Sequence, residues 1–474
     1  MQGRFSLWTS LLTAGLSALL AAGSAPALAQ TAPVAVDNIP ARPLGTAVPA
    51  APPLSLPPLA VPETGNTPAS PAQQTFDQVA GRLRDDYAGL SAVDRAALIQ
   101  EYQGRLLAVC QSQALNCPAE TAYPVIEAQL TALGDAHTFL QWPDEYQDFV
   151  SSAVGGERLQ FGFKLAELDG ERRLITEVVP GSAADRAGLR RGDVVQRLNG
   201  QPYRYDDLTA ARVAGRPATL LLDLDRQGRR LSVTLTAART AAADPPRLSW
   251  VGPEKAAHRT AVIRIPTFLS AGEVAARVHE EVGQARARGA GGIVVDLRGN
   301  AGGSLLECDL AASAFVPEFR RVAHSAGRET QTRVAGGSRW DDGVLAGRIS
   351  RPQLWRGPLT VLVDEGSASC AEFFAYEIQR AGAGVVVGAP TSGVGNTATR
   401  VFPLTGGAGL QLTVLHYSKP GGQPYPLQVQ PDLKVESGEA FLRALAQGRD
   451  LALEAGLQAL RRQSLAHGTL RPAE

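Results

Sequence analysis

The spacing of apolar residues changes its character twice along this chain. Between residues 74 and 155, apolar side chains recur every three or four positions, as in FDQVAGRLRDDYAG, VDRAALIQEYQGRLLAVC and AYPVIEAQLTALG. This spacing is typical of amphipathic helices, and Gly134 follows the third stretch, where a helix commonly ends. The pattern therefore predicts a small helical N-terminal domain over residues 74–155.

Short strand-like segments separated by glycine-containing turns follow in residues 156–240. LQFGFKLAEL and RRLITEVV flank a turn at Asp169-Gly170 and together predict a β-hairpin. PGSAADRAGL predicts a turn and a short helix, whereas RRGDVVQRLNGQPY and ATLLLDLDRQGRRLSVTL predict further strands. These segments indicate a second, β-rich module.

The longest region, residues 247–437, alternates apolar strands with amphipathic helices. TAVIRI, GGIVVDL, LTVLVD and GVVVGA are continuous apolar runs of the kind found in buried parallel strands. AGEVAARVHEEVGQARARG and CAEFFAYEIQRAG have helical spacing, so the region predicts a mixed or parallel sheet covered by helices. A last amphipathic stretch, GEAFLRALAQGRDLALEAGLQALRRQ, predicts a single C-terminal helix within residues 438–474.

Residues 1–29 have the parts of a secretory signal peptide. Arg4 supplies a positive start, a short apolar run follows, and Ala27-Leu28-Ala29 offers a cleavage site. An uncleaved membrane anchor is the alternative, but the apolar run is short and no later stretch is apolar enough to span a bilayer. Residues 30–73 are rich in Pro and Ala and predict a semi-extended linker. We therefore expect an exported protein, periplasmic or extracellular, without a stable membrane span after cleavage.

Charge and cysteine content narrow the range of functions. The formal net charge of the 474 residues is zero, so no basic field points to nucleic acid or to an anionic lipid surface. Histidine is sparse and the four cysteines lack the spacing of a metal site, so we predict no metal and no cofactor. Cys110 and Cys117 are close enough for a disulfide in an oxidising compartment, and packing between helices is an equal alternative.

The β-rich module at residues 156–240 resembles a PDZ domain of the circularly arranged bacterial type. Gln160-Phe161-Gly162-Phe163 is similar to the carboxylate-binding loop of that domain, and Pro180–Ala184 with Gly192-Asp193 is similar to its most recognisable stretch. The resemblance implies that Phe161, Gly162 and Phe163 bind peptides. Backbone N–H groups then hold a C-terminal carboxylate while the adjacent strand edge accepts the peptide as an extra strand. Polypeptide substrates or C-terminal tails are the expected partners.

Three further segments resemble the C-terminal-processing, or tail-specific, proteases and occur in the order usual for that family. Leu133–Thr138 with Pro143–Tyr146 is similar to the family motif D-P-H-[ST]…P-E-E-Y. Asp296–Gly303 is similar to D-L-R-x-N-P-G-G, and Gly366–Glu372 is similar to G-[ST]-A-S-A-S-E. The resemblance extends over most of the chain from about residue 75 to residue 437. It implies a multidomain α/β protein in which a helical N-terminal domain and a PDZ-like module precede a protease core at residues 247–437.

This resemblance implies a serine-type endopeptidase whose nucleophile is Ser369. The expected oxyanion hole consists of the backbone N–H groups of Gly303 and Cys370. A glycine suits this place because a residue without Cβ can turn sharply and approach a substrate closely.

The chain lacks the lysine that usually activates the serine in this family. The lysine and its supporting glutamine fall on Val394 and Ala398, both apolar, and Lys419 on the following strand is the only lysine considered as a substitute. One hypothesis makes His137 the general base, as in the similar tricorn proteases, because an imidazole suits proton transfer near neutral pH. A purely structural role is the alternative for His137. A non-catalytic, peptide-binding pseudoprotease is the alternative for the whole protein.

Overall fold

A computed structural model of the chain describes residues 69–169, 172–202, 219–241, 244–253, 259–269 and 273–466. The predicted signal peptide and nearly all of the predicted linker lie outside these ranges. Within them, no helix has both the length and the apolar character needed to cross a bilayer.

The N-terminal region is helical, with α1 at Pro71–Asp85, α2 at Arg95–Cys110, α3 at Tyr123–Leu133 and α4 at Pro143–Ala153. α1 begins inside the stretch predicted as linker. The Ser70 side chain accepts a hydrogen bond from the Gln73 amide, and Pro71 suits the first helical turn. α3 ends at Gly134, which has φ 72°, as the sequence predicts.

These helices share a hydrophobic core with strands from the C-terminal half of the chain. Phe76, Leu83 and Ile126 belong to one buried cluster with Phe402 and Leu410. The short strand β1 (Phe139–Gln141), which follows α3, pairs antiparallel with residues 409–411. The helical region therefore shares its core with the C-terminal half of the chain, whereas the module after residue 155 has a separate hydrophobic cluster.

The PDZ-like module contains a five-stranded antiparallel sheet in the order β3–β4–β5–β6–β7. Its strands are β3 (Phe163–Asp169), β4 (Arg172–Val178), β5 (Val194–Leu198), β6 (Thr219–Arg226) and β7 (Arg229–Thr236). β2 (Glu157–Gln160) pairs with β8 (Ala238–Ala241), and the predicted short helix is α5 (Ala183–Arg186). The predicted hairpin joins β3 to β4, although Gly170 of its turn lies outside the described residues. Among the described strands, β3 pairs with β4 alone, so its other edge has no strand partner there.

A six-stranded mixed sheet in the order β20–β17–β16–β11–β10–β9 forms the centre of residues 247–437, as predicted. Its strands are β9 (Arg247–Val251), β10 (Thr260–Arg264), β11 (Gly292–Asp296), β16 (Leu359–Val363), β17 (Val385–Gly388) and β20 (Leu433–Lys434). All neighbours are parallel except β9 and β10. One face packs against α6 (Val274–Ala287), α7 (Leu305–Ala312) and α8 (Cys370–Arg380).

A second sheet, which the sequence pattern did not predict, lies beside this core. In addition to β1 it contains β12 (Glu318–Ser325), β13 (Arg328–Ala335), β14 (Ser338–Asp341), β15 (Val344–Arg348), β18 (Thr397–Pro403) and β19 (Gly409–Ser418). Its order is β1–β19–β12–β13–β14–β15, and β18 also pairs with β19. Both β1 and β18 thus pair with β19, which brings the segment around His137 close to the start of β18.

The C-terminal segment forms two helices, α9 (Glu439–Ala446) and α10 (Leu451–Ala466), so the prediction of a single helix is wrong. Gly448 adopts φ 82° and ends the first helix. The side chain of Asp450 then accepts a hydrogen bond from the Leu453 amide, which caps the second. α9 packs on the PDZ-like module, whereas α10 covers the other face of the six-stranded sheet.

A disulfide joins Cys110, at the end of α2, to Cys117. We expect the double variant Cys110→Ser/Cys117→Ser to lose about 2 kcal/mol of unfolding free energy, because the bond restricts the unfolded chain. Urea unfolding checks this, and the variant and the reduced wild-type protein should both unfold at a lower urea concentration than the oxidised wild type. An unchanged midpoint in the variant would contradict the prediction.

Candidate active site

Ser369 lies in the turn that connects β16 to α8. Its backbone has φ 54° and ψ −115°, a conformation that residues other than glycine rarely adopt. The side chain is fully buried, and its Oγ makes no hydrogen bond to any described residue. A strained turn that presents an uncommitted hydroxyl at the start of a helix is a suitable place for a nucleophile.

The carboxylate of Glu372, in the first turn of α8, holds this serine turn in place. Its Oε2 accepts hydrogen bonds from the amides of Ser369 at 2.8 Å and Val394 at 3.0 Å. Its Oε1 accepts from the Gly393 amide at 2.9 Å and from the Thr391 hydroxyl at 2.5 Å. Burial raises the pKa of Glu372 to about 7, although these four donors act in the opposite direction.

A second turn, residues 299–303, follows β11 and adjoins the serine turn. The Asn300 side chain donates from Nδ2 to the Ile265 carbonyl at 2.8 Å and accepts at Oδ1 from the Gly302 amide at 2.9 Å. The Asn300 carbonyl accepts from the Ala368 amide at 2.9 Å. Asn300 therefore joins the end of β10, the glycine turn and the serine turn.

The two residues predicted to form the oxyanion hole lie beside each other and beside Ser369. The Cys370 Sγ is 3.3 Å from the Gly303 carbonyl oxygen, and a Cβ added to Gly302 would lie 2.8 Å from the Ser369 Cβ. A Cβ added to Gly303 would lie 2.3 Å from the carbonyl carbon of Phe268, so only glycine fits there. The Gly303 N–H makes no hydrogen bond within the described residues. The role of both amides in catalysis stays a prediction.

His137 is fully buried between α3 and β1. Its Nδ1 lies 2.8 Å from the Thr397 hydroxyl, and that hydroxyl donates to the Val394 carbonyl at 3.3 Å. No hydrogen bond joins His137 to the Ser369 Oγ. The role of His137 as the general base stays a prediction.

Val394, the residue at which the resemblance would place a catalytic lysine, is buried and apolar. The Val394 side chain is buried and contacts Ala368, the residue before the serine. The Lys419 ammonium lies 5.6 Å from the ring centroid of Tyr376. Because the Ser369 Oγ makes no hydrogen bond to any described residue, none of the described lysines contacts it in that way.

The predicted peptide-binding residues lie at the start of the open strand β3. The side chains of Phe161 and Phe163 are buried in the core of the module. Gly162 has φ 84°, and a Cβ there would lie 2.0 Å from the Ser182 Cβ. These residues thus offer a peptide their backbone and not their side chains. Their role in binding stays a prediction.

A chain of alternating charges connects the module to the turn after β11. Burial alone would raise the pKa of Asp296, but Arg298 and Arg264 hold it well below its usual range. Arg264 and Lys164 likewise lower the pKa of Glu177 to about 2 against the effect of burial. Pairing offsets the cost of burying these charges. The chain runs Lys164, Glu177, Arg264, Asp296, Arg298, Asp450 and Arg191, with successive separations of 3.0, 3.0, 3.7, 2.7, 2.7 and 3.6 Å.

Sequence reasoning did not predict two of the residues that position this site. Asn300 lies inside a motif that the sequence analysis recognised, so its position carried a signal. Thr397 carried none, because it meets His137 across 260 residues of sequence. Only the pairing of β1 and β18 with the same strand brings these two side chains together.

Comparisons with known proteins agree with this architecture. Residues 259–435 match the model of peptidase family S41, and residues 152–217 match that of the PDZ domain. A carboxyl-terminal-processing protease of Synechocystis sp. is 27% identical over 352 residues, which cover 72% of this chain and 77% of the relative. Carboxyl-terminal-processing peptidase 3 of Arabidopsis thaliana is 25% identical over 334 residues, which cover 68% of this chain and 61% of the relative. Residues 259–435 are thus similar to peptidase family S41, and the residues that precede them are similar to a PDZ domain.

The fold likewise agrees with that of an S41 protein. A solved structure from Bacteroides fragilis, assigned to the S41 proteases, matches with a TM-score of 0.54 at 17% identity. The match covers 87% of this chain and 100% of that chain. It confirms the predicted fold class, a multidomain α/β protein with a mixed sheet.

Glu372 gives the stability of the protein a specific pH dependence. Its pKa is about 7 in the folded protein and 4.5 as its ordinary value, so between these values the folded state binds a proton that the unfolded state has lost. Stability therefore falls as pH rises through this window, by about 3 kcal/mol for a change of this size. We expect Glu372→Gln, which resembles the protonated form, to lack this component.

The measurement is the free energy of unfolding of wild type and variant at several pH values from about 5 to about 8. The exposed Glu365 offers a control, since Glu365→Gln should keep the pH dependence of the wild type. Parallel curves for the wild type and Glu372→Gln would show that Glu372 does not titrate in this range.

Proposed function

We propose that this protein is a serine-type endopeptidase that hydrolyses polypeptides recognised by their C-termini, with Ser369 as nucleophile. The observation that carries the proposal is the strained Ser369 turn, whose uncommitted hydroxyl lies beside the Gly302-Gly303 turn. The match of residues 259–435 to the model of peptidase family S41 supports the reaction class. The relatives are carboxyl-terminal-processing proteases and peptidases, which supports the choice of substrate end.

In the proposed reaction the Ser369 Oγ attacks a peptide carbonyl carbon while His137 Nε2 takes the hydroxyl proton. The carbonyl oxygen becomes an oxyanion, which accepts hydrogen bonds from the Gly303 and Cys370 amides. His137 then gives its proton to the leaving amine, which departs and leaves an acyl-serine ester. A water molecule, deprotonated by the same imidazole, hydrolyses the ester and restores the serine.

The hydrogen bond between His137 and Thr397 supports this assignment. A histidine that acts as a base must present an unprotonated ring nitrogen to the nucleophile. The hydrogen-bond partner of the other ring nitrogen decides which of the two nitrogens has the proton. In the proposed tautomer Nδ1 donates to the Thr397 hydroxyl at 2.8 Å, and the proton of that hydroxyl goes to the Val394 carbonyl at 3.3 Å. The direct bond between base and nucleophile is absent here, and such bonds often form only when the substrate is bound.

We further propose that the PDZ domain takes the substrate tail onto strand β3. The open edge of β3 can pair with an extended peptide, while the loop formed by Phe161, Gly162 and Phe163 meets the terminal carboxylate through its backbone. This mode selects the substrate by its chain end and by the residues next to it.

A pseudoprotease that binds peptides without cleaving them is the second candidate function. The observation in its favour is the buried, apolar Val394 at the position of the family lysine. The strained backbone of Ser369 favours the enzyme, because such strain costs about 1–3 kcal/mol and is typical of active sites.

The location that we propose is outside the cytoplasm. The disulfide between Cys110 and Cys117 supports export, because such bonds persist in oxidising compartments. The sequence of residues 1–29 has the features of a signal that would direct it.

Substitutions at the proposed nucleophile and base test the reaction. The mature wild-type protein should degrade an unfolded polypeptide with an apolar C-terminus. Ser369→Ala should abolish cleavage, and His137→Gln should lower kcat at least about 100-fold, because general-base catalysis contributes on this scale. Cleavage rates of purified proteins and their melting temperatures are the measurements.

Three results would revise this proposal in different ways. If Ser369→Ala is inactive but His137→Gln is not, the protein is a peptidase with another base. If the wild type binds the unfolded polypeptide without cleaving it, the pseudoprotease is the better description. If Ser369→Ala retains wild-type cleavage, the nucleophile is wrong.

The C-terminus of the substrate tests the role of the PDZ domain. Two peptides of the same sequence, one with a free terminal carboxylate and one amidated, differ only in the group that the β2–β3 loop is proposed to hold. We expect the amidated peptide to bind Ser369→Ala at least about tenfold more weakly, since charge-assisted hydrogen bonds contribute about 1.5–3 kcal/mol. Titration calorimetry measures both affinities, and equal values would argue against recognition of the carboxylate.

A further inference from the structure

A short segment, residues 265–269, runs alongside the glycine turn of the candidate site. The Phe268 amide donates to the Gly302 carbonyl at 2.8 Å, and the Ser304 amide donates to the Phe268 carbonyl at 3.1 Å. These two bonds form a parallel β-bridge between Phe268 and Gly303. The segment therefore supports the turn from behind.

Thr267 adds a side-chain hydrogen bond to this backbone pairing. Its Oγ1 accepts from the Leu269 amide at 3.0 Å and lies 3.3 Å from the Gly302 carbonyl oxygen. The Leu269 amide can only donate and the Gly302 carbonyl can only accept, so the single hydroxyl proton of Thr267 goes to the Gly302 carbonyl. The hydroxyl is thereby fixed in rotation, and the Gly302 carbonyl accepts two hydrogen bonds from neighbouring residues.

The Gly302 carbonyl and the Gly303 N–H belong to the same peptide unit. In a trans peptide these two groups point in opposite directions. Holding the carbonyl towards Thr267 and Phe268 therefore directs the Gly303 N–H away from them. The turn adjoins the nucleophile, since a Cβ on Gly302 would lie 2.8 Å from the Ser369 Cβ.

Two consecutive glycines need such support from outside the turn. Gly302 and Gly303 have φ angles of 101° and 144°, and glycine has more backbone freedom than any other residue. The turn cannot be stiffened by a larger residue at 303, because Phe268 occupies the space that a Cβ would need. Hydrogen bonds from residues 265–269 must therefore restrict the backbone conformation of the turn.

We propose that Thr267 is a positioning residue of the peptidase: its hydroxyl aligns the Gly302-Gly303 peptide so that the Gly303 N–H meets the oxyanion. This inference rests on the proposed function, and it concerns the alignment of the donor before the reaction starts. A prealigned donor acts mainly on the transition state, where the charge develops. Loss of alignment should thus lower kcat and leave KM unchanged.

The chain offers a matched pair of variants for the test. Thr267→Val keeps the shape of the side chain and removes the hydroxyl, whereas Thr267→Ser keeps the hydroxyl. We expect Thr267→Val to lower kcat about tenfold, less than the loss of a whole oxyanion donor, with KM within about twofold of wild type. Thr267→Ser should behave as wild type. Affinity for a peptide boronic acid, which forms a tetrahedral adduct with serine, should fall in parallel with kcat.

Amide hydrogen exchange of residues 301–304 tests the alignment without using activity. Exchange should be faster in Thr267→Val than in wild type or Thr267→Ser, while the melting temperatures of all three proteins stay close. Equal kcat or equal exchange in the three proteins would overturn the inference, as would a loss of kcat that merely follows a lowered melting temperature. If the wild type does not cleave at all, the proposed function fails, and exchange alone then decides the role of Thr267.

Discussion

The candidate site depends on one buried carboxylate. Glu372 is surrounded by protein and accepts hydrogen bonds from Ser369 and Val394 on one oxygen and from Thr391 and Gly393 on the other. A buried carboxylate without such donors would cost several kcal/mol of folding free energy. The serine turn and the loop at residues 391–394 must therefore stay in place to supply its hydrogen bonds. The strained conformation of Ser369 is maintained by this requirement and not by its own preference.

The same carboxylate also holds the loop that contains Val394. The Val394 backbone is held by Glu372, and its carbonyl accepts the proton of Thr397. The Thr397 hydroxyl also lies 2.8 Å from His137 Nδ1, so the loop that contains Val394 contacts the imidazole through Thr397.

Charges organise the molecule on a larger scale. The alternating chain from Lys164 to Arg191 begins and ends in the PDZ domain and passes through Asp296 and Arg298, next to the glycine turn. Asp450, between the two C-terminal helices, pairs with both Arg298 and Arg191. The C-terminal segment thus contacts the module and the core at once, through buried charges as well as through the apolar faces of α9 and α10.

The sequence by itself determined the parts of the protein whose signals are local. Apolar runs such as GGIVVDL defined the buried strands, Gly134 ended α3, and the Asp296–Gly303 motif located the glycine turn. Thr267, Thr397 and the second sheet became visible only in the tertiary structure. Their partners are distant in sequence, and a hydroxyl or a half-exposed strand has no periodic pattern that reveals what it will meet. Local chemistry decided which elements form, and strand pairing decided that Thr397 meets His137.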